Sequence, residues 1–295
     1  MTAIRGSETG AVGAAEPTAT APSGERPAPA VRRTVPARRS AGSRRFTLSL
    51  AQLATVAVLL AAWEVAARSG VINPFLFSSP GAVVESLVRR AADGALANDV
   101  RVTMTEIVLG YLLGAVGGSL LGLGLWYSRL VADYSAPFIA AIGAIPVLAI
   151  APMTIIWFGT GLLSKVMIVA FSCVVVSLTN AYRGAQRADV DQVNLMRSFG
   201  ASQGQIFRKV VVPGALPWVI QGLKLNVGFA VVGAVIGEYI SSNAGVGHMI
   251  LLGSSSFAVN IVLAGLVMVM AIVLLLSFLV NLLERSLLSW ERTGQ

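Results

Sequence analysis

Charge is scarce in this chain. Only 12% of its 295 residues are charged, 55% are hydrophobic, and the mean hydropathy is +0.76. A soluble domain of this length carries about 25% charged residues. The deficit excludes an ordinary soluble globular protein and indicates a membrane protein.

Cysteine and histidine are almost absent, with only Cys173 and His248. One thiol excludes a disulfide framework, and a Cys/His metal site needs more ligands than two. One histidine makes a Ser/His/Asp active site a poor hypothesis. The phosphate-binding loop G-x-x-x-x-G-K-[ST] occurs nowhere. The sequence therefore predicts no metal, no cofactor and no catalytic residues on this chain, so any ATP and magnesium belong to another polypeptide.

The first 45 residues are rich in Ala, Pro, Gly, Ser, Thr and Arg. Such a segment buries too little apolar surface to offset its chain entropy, so residues 1–45 are predicted to be a disordered tail. Two roles remain open for it, a solvated tail that orients the first helix or a segment that binds anionic lipid. The arginines concerned are Arg32, Arg33, Arg38, Arg39, Arg44 and Arg45.

Six segments have about the 20 apolar residues that a helix needs to cross a bilayer. They are 46–68, 105–127, 134–157, 165–182, 216–238 and 258–282. The third contains Pro137, Pro146 and Pro152, which are tolerated where neighbouring groups satisfy the freed carbonyls. We predict an all-α membrane domain over 46–285 with about six transmembrane helices, followed by a short C-terminal tail over 286–295.

Basic residues indicate the orientation of these spans. With the N-terminus in the cytoplasm, 16 Lys and Arg residues lie on the cytoplasmic side and five on the outer side. The asymmetry predicts a multi-pass membrane protein with both termini in the cytoplasm. It also explains the high pI without nucleic acid as a partner.

Small residues line one face of the second span. Glycine recurs there every four residues, which lets another helix approach closely. The partner helix belongs either to this chain or to a second copy. The four residues are Gly110, Gly114, Gly118 and Gly122.

A short amphipathic helix is predicted between the first two spans. Ser79 is a candidate N-cap and Pro80 suits the first helical position. Its apolar side chains share one face, so the helix either lies on the outer membrane interface or is an ordinary surface helix. They are Val83, Val84, Leu87 and Val88.

The polar loop 183–213 faces the cytoplasm by the charge argument and is predicted to contain two helices. Asp189 caps the first, Gly200 ends it, and Ser202 with Gln205 forms a capping box that starts the second. Pro213 and Pro217 are predicted to end the second helix and to begin the fifth span. We call residues 189–209 the elbow, because a helix, a bend and a helix form an L-shaped projection.

The loop resembles the cytoplasmic signature of ABC importer permeases, Glu-Ala-Ala, three residues, Gly, nine residues, Ile, one residue, Leu-Pro. Gly200 occupies the Gly position, Val210 and Val212 the Ile and Leu positions, and Pro213 the Pro position. The sequence departs from the family at the Glu-Ala-Ala positions, which removes the charged anchor. Those positions hold Asn194, Leu195 and Met196.

Three further stretches, 63–87, 145–161 and 237–250, resemble the nitrate, sulfonate and taurine branch of this family. The resemblance implies a MetI-like permease fold in which the loop is a coupling helix-turn-helix for a separate ATP-binding subunit. It implies a location in the bacterial cytoplasmic (inner) membrane, a solute-binding protein outside and a second permease copy, with a sulfonate, taurine, nitrate or vitamin precursor as solute. Glu238, Gly245 and Gly247 are expected at an outer gate or receptor contact, although "AGVGHMI" is equally typical of a flexible turn.

Two other functions remain open, an ion-coupled carrier and a membrane scaffold. A carrier needs ionisable groups deep within its spans. Glu64, Glu106 and Glu238 are instead predicted near the outer ends of their spans, where they snorkel to the interface, shape an entrance or dock a receptor. A scaffold would not require the glycine-bent loop.

Overall fold

The structure, a computed structural model, describes the backbone of residues 41–287 and the side chains of residues 48–285. Most of the predicted tail 1–45 and of the C-terminal tail 286–295 lies outside the described residues. The chain divides into two units, Met1–Leu53 and Ala54–Gln295, and the contacts below belong to the second.

The described residues form helices joined by short turns. In chain order the helices are α1 (Ala41–Arg68), α2 (Pro74–Phe77), α3 (Pro80–Ala92), α4 (Ala95–Tyr111), α5 (Gly117–Gly124), α6 (Arg129–Ala144), α7 (Val147–Phe158), α8 (Leu162–Gln186), α9 (Val190–Ser198), α10 (Gln203–Ile206), α11 (Val212–Ser241), α12 (Val246–Ser255) and α13 (Val259–Leu287). Five continuous helical stretches are long and apolar enough to cross a membrane, and a bent pair makes up to six. This agrees with the predicted all-α membrane fold.

The bent pair is the predicted third span. α6 and α7 meet at an angle of 94° at Ile145 and Pro146. A residue before proline avoids the helical conformation, and Ile145 is accordingly extended. Pro137 and Pro152 remain inside α6 and α7. The break at Pro146 therefore replaces the single helix predicted over 134–157.

Two membrane helices contain a π-helical turn. Leu112–Val116 joins α4 to α5, and Phe207–Val211 joins α10 to α11. As a result, the fifth span continues without interruption from Gln203 to Ser241. The prediction that Pro213 and Pro217 end one helix and begin another is wrong. Pro213 lies in the first turn of α11, directly after the π-turn, where a missing N–H is tolerated, and Pro217 lies inside the helix.

α8 and α11 pack against each other along their length at the centre of the protein. The apolar core between them and α4 includes Ile107, Val169, Cys173 and Val231. A much smaller share of the residues of α13 is buried than of α8 or α11, as expected of a lipid-facing helix. Lys224 of α11 and Glu284 of α13 form an ion pair at 2.6 Å.

The amphipathic helix α3 begins as predicted, with the Ser79 hydroxyl accepting from the Ala82 N–H at 3.2 Å. Its apolar face is divided between two environments. Val83 packs against Met249 and Ala264 of α12 and α13, whereas Val84 and Val88 are exposed. α3 is therefore a packed part of the protein at the end where α4 begins.

Candidate functional site

The first arm of the elbow is fixed by local hydrogen bonds. The Asp189 carboxylate accepts from the N–H groups of Asp191 and Gln192, which confirms the predicted N-cap. At the other end Gly200 has φ +74°, a left-handed conformation that glycine adopts without steric cost. The Gly200 and Ala201 N–H groups donate to the carbonyls of Arg197 and Met196, at 2.9 and 3.0 Å. These two bonds are a Schellman motif, so the first helix has a defined end.

The second arm begins at the predicted capping box. The Ser202 N–H donates to Gln205 Oε1 at 2.8 Å, and the Gln205 N–H donates to Ser202 Oγ at 3.4 Å. From there the helix continues through the π-turn into α11. The elbow is consequently continuous with the start of a membrane helix, and a displacement of the elbow displaces that helix.

The inner side of the elbow packs on the ends of the membrane helices. Ile206 and Val211 are buried with Ala185, and Met196 packs against this group. Leu195 and Met196 are the two apolar residues at the Glu-Ala-Ala positions of the signature. Only Leu195 is exposed, because Met196 lies on the inner face of α9.

Aromatic residues also hold the elbow in place, which the sequence did not indicate. The Phe207 ring lies 4.7 Å from the Tyr127 ring and 5.6 Å from the Trp126 ring, measured between centroids. The Arg187 guanidinium lies 4.2 Å from the Trp218 ring centroid, a cation–π contact. Phe207 thus joins the elbow to the turn after α5, and Arg187 joins the end of α8 to α11.

The face of the elbow that points away from the membrane helices exposes apolar side chains to solvent. Phe199, Val190 and Leu195 are 80%, 68% and 57% exposed. Asn194 is exposed as well, and it lines a cavity of 300 Å³ between α9 and the end of α5. Of the other signature residues, Val210 is buried, and Val212 and Pro213 are partly buried. Phe199 is the most exposed apolar residue of the elbow, and it lies outside the signature positions.

A second group of functional candidates lies at the opposite end of the protein. The beginnings of α4 and α8 and the end of α11 bring together five buried polar side chains, which we call the polar cluster: Asp99, Thr103, Glu106, Lys165 and Glu238. Glu106 and Glu238 are 1% and 0% exposed. The expectation that these two carboxylates snorkel to the interface is therefore wrong. Both carboxylates are buried between helices of this chain.

The side chains of the polar cluster contact defined partners, with the exception of one carboxylate oxygen of Glu106. The Thr103 hydroxyl donates to Glu238 Oε1, and the Gly247 N–H donates to Glu238 Oε2, both at 2.5 Å. Lys165 Nζ donates to the Thr160 carbonyl at 3.1 Å and lies 4.0 Å from Glu106 Oε1. Glu106 Oε2 is buried and has no hydrogen-bond partner among the described residues.

Gly245 and Gly247 fit closely around Glu238. Gly245 has φ +117°, and a Cβ on either glycine would overlap the Glu238 side chain. Gly245 is therefore required for both its conformation and its size. The predicted receptor contact of these residues stays a prediction, and in this structure the Glu238 carboxylate points into the protein.

The glycine face of the second span packs within the chain. A Cβ on Gly114, Gly118 or Gly122 would overlap the backbone of α8, and one on Gly110 would overlap Val169. Gly117, on a different face of the same helix, has nothing within 4 Å. The close helix approach predicted from the glycine spacing is made between α4–α5 and α8.

An apolar cavity of 470 Å³ lies at the bend between α6 and α7. Its lining includes Phe171 and Ser172 of α8 and Phe229 and Val232 of α11. Phe229 and Val232 are about half exposed, so the cavity opens to the surface. No charged side chain lines it, and the described residues hold no group of three or more His, Cys, Asp or Glu suited to a metal ion.

These features define the class of protein, a membrane-spanning helical protein with a hydrogen-bonded elbow at one end. The comparisons with known proteins give the family. Residues 107–289 match the model described as "Binding-protein-dependent transport system inner membrane component". The chain belongs to this family and is a permease of the ABC importer type.

Two curated relatives are similar over most of their length. The putative aliphatic sulfonates transport permease protein of Bacillus subtilis is 30% identical over 80% of this chain and 86% of that protein. The taurine transport system permease protein of Escherichia coli is 30% identical over 84% of this chain and 91% of that protein. They agree with the resemblance to the sulfonate and taurine branch.

A solved structure supports the fold. A chain of the MetNI methionine ABC transporter, crystallised in an inward-facing conformation, aligns with a TM-score of 0.58 at 18% identity. The alignment covers 65% of this chain and 96% of that chain. The permease fold predicted from the sequence is confirmed.

Proposed function

We propose that this permease moves a small solute of the sulfonate, taurine, nitrate or vitamin-precursor kind, delivered by a solute-binding protein on the outer side of the membrane. The names of the relatives favour sulfonates or taurine. The cavity at the α6–α7 bend has no charged lining residue that would retain an anion. A transport pathway must release the solute that it conducts, so an uncharged lining suits the passage of the solute. Selection of the solute is then left to the binding protein.

The same proposal places both termini in the cytoplasm and the elbow on the cytoplasmic side. The 16-to-five distribution of basic residues supports this orientation. It places the polar cluster and α12 at the outer end.

The elbow is proposed to seat in a cleft of a separate ATP-hydrolysing subunit. The observation that supports this most is the exposure of Val190, Leu195 and Phe199 on a helix whose two ends are both fixed by hydrogen bonds. Rigid, exposed apolar side chains bind a partner with little loss of conformational entropy. The family's Glu-Ala-Ala anchor is absent here, so apolar contact takes a larger part in docking.

A second copy of the permease is proposed to complete the pathway. The α6–α7 bend and α11 leave Leu148, Phe229 and Val232 exposed beside the cavity. A two-fold partner placed on this face would close the cavity between the two copies. ATP and magnesium act only on the ATPase subunits, and this chain contributes motion without chemistry.

The coupling follows from the continuity of the elbow with α11. When two ATPase subunits close on ATP, the elbows move, and each carries the 39-residue helix Gln203–Ser241 with it. At 1.5 Å per residue this helix is about 58 Å long, which exceeds the bilayer core of about 30 Å. ATP thereby shifts the population between two arrangements of the membrane helices.

Site-directed crosslinking tests the docking. In a chain carrying Cys173→Ser, Phe199→Cys is expected to crosslink to the ATPase subunit of the purified complex. Leu120→Cys is the matched control, because Leu120 is 65% exposed on α5 within a span and should give no such crosslink.

Absence of the Phe199→Cys crosslink from an intact complex would contradict the docking. Uptake that a protonophore abolishes at constant cellular ATP would favour the ion-coupled carrier. A panel of radiolabelled taurine, alkanesulfonate, nitrate and vitamin precursors, competing for uptake, then identifies the solute.

A further inference from the structure

The beginning of α12 is held entirely by side chains from other helices. The N–H groups of Gly245, Val246 and Gly247 donate to Asp99 Oδ1 at 2.9 Å, Thr103 Oγ1 at 2.9 Å and Glu238 Oε2 at 2.5 Å. The first N–H groups of a helix have no partner within it, and a local cap normally supplies one. α12 has no such side-chain cap, so its position depends on α4 and α11.

Thr103 connects the two sets of contacts. Its hydroxyl accepts from the Val246 N–H and at the same time donates to Glu238 Oε1. It is completely buried, as is Glu238. One hydroxyl thus joins α4, α11 and α12 at a single point.

Charges near this point are incompletely paired. Asp99 pairs with Arg90 at 3.0 Å, whereas Lys165 lies 4.0 Å from Glu106 Oε1, and no basic side chain among the described residues forms an ion pair with Glu238. Removing such groups from water opposes much of the energy gained by pairing them. A buried network of this kind contributes little net stability and is better suited to fixing the relative position of three helices.

We propose that Thr103 and Glu238 are positioning residues that make the beginning of α12 move with α11 during transport. This rests on the proposed coupling role of the elbow, because α11 is the helix that the elbow displaces. The 245–247 turn is then the outer end of the moving unit. Any solute released by the binding protein meets a surface whose position is set by the ATPase about 50 Å away along α11.

The test uses the complex of permease, ATPase and binding protein and needs no identified solute. Hydrogen exchange is measured over residues 243–250, first without nucleotide and then with the complex trapped by ATP, magnesium and vanadate. The wild type is expected to keep the same protection in both states, because the three N–H groups keep their acceptors. Loss of protection in either state would overturn the proposal, since α12 would then separate from α11.

A matched pair of variants isolates the hydroxyl. Thr103→Val keeps the side-chain shape and removes both hydrogen bonds, whereas Thr103→Ser retains them. Thr103→Val is expected to exchange at least about tenfold faster over 243–250, because the buried Val246 N–H loses its acceptor, and to lose stimulation of ATP hydrolysis by the binding protein. Thr103→Ser is expected to match the wild type in both measurements.

Wild-type stimulation in an assembled Thr103→Val complex would overturn the proposal. If Thr103→Val does not assemble, the wild-type comparison between nucleotide states still decides. Failure of the Phe199→Cys crosslink marks a failure of the docking itself. An intact crosslink combined with exchange that depends on nucleotide state marks failure of the positioning role alone.

Discussion

Glycine is required in the second span and in the elbow for two different physical reasons. Gly114 and Gly118 lie against the backbone of α8, where a Cβ has no room. Gly200 has nothing within 4 Å of its Cβ position, but its φ of +74° is one that other residues rarely adopt. Gly114 and Gly118 are therefore required because of their small size, and Gly200 is required because of its backbone conformation.

The comparison distinguishes glycines that are needed for folding from a glycine that is needed for the direction of the elbow. A side chain added to the glycine face displaces two membrane helices, so it acts on folding. A side chain added at Gly200 changes only the bend of an exposed segment, so it acts on the direction of the elbow. The two regions therefore predict different failures, and three pairs of variants rank them by their effect on stability.

The largest loss of stability is expected from Gly118→Leu. The Val174 carbonyl oxygen lies 2.4 Å from the position of the new Cβ, and overpacking against a backbone costs about 1–3 kcal/mol or more. The variant should be nearly absent from the membrane fraction, as measured by immunoblot and by the melting temperature of purified protein. Gly117→Leu is the control, because Gly117 has no neighbour within 4 Å.

Equal membrane levels for Gly118→Leu and Gly117→Leu would break the comparison. That result would mean that α5 and α8 are farther apart than the structure places them. The glycine spacing would then serve a contact with another chain or none at all.

An intermediate loss is expected from Gly245→Ala, where both reasons apply. The new methyl group would overlap the Glu238 carboxyl group, and φ is +117°. Gly94→Ala sharpens the result, because Gly94 has φ +73° but open space around its Cβ position. Strain alone costs about 1–3 kcal/mol, so the melting temperature should fall for both variants and further for Gly245→Ala. Equal decreases would show that Glu238 moves aside.

Local patterns in the sequence predict the elbow well. Asp189, Ser202 and Gln205 form capping hydrogen bonds with residues at most three positions away, and Gly200 ends the helix that it follows. Such interactions depend on neighbours along the chain, so one sequence is enough to identify them. The four-residue glycine spacing likewise indicated a face, although it left open which helix packs on it.

Long-range contacts account for what the sequence did not predict. Thr103 and Glu238 are 135 residues apart and meet only because α4 and α11 pack together. The side of α9 that Met196 occupies depends on where Ile206 lies in the folded protein. α12 was missed because its ten residues are too few for a span and its beginning is capped by other helices.

The most direct test of the account is ATP hydrolysis by the complex carrying Gly200→Val, compared with Gly204→Val. Both glycines have open space around the Cβ position, and only Gly200 has a positive φ. The account predicts that both variants reach the membrane at wild-type levels and that only Gly200→Val loses stimulation of ATP hydrolysis by the binding protein, together with uptake. Full stimulation and uptake by Gly200→Val would contradict it, because the elbow would then be only a connection between two spans.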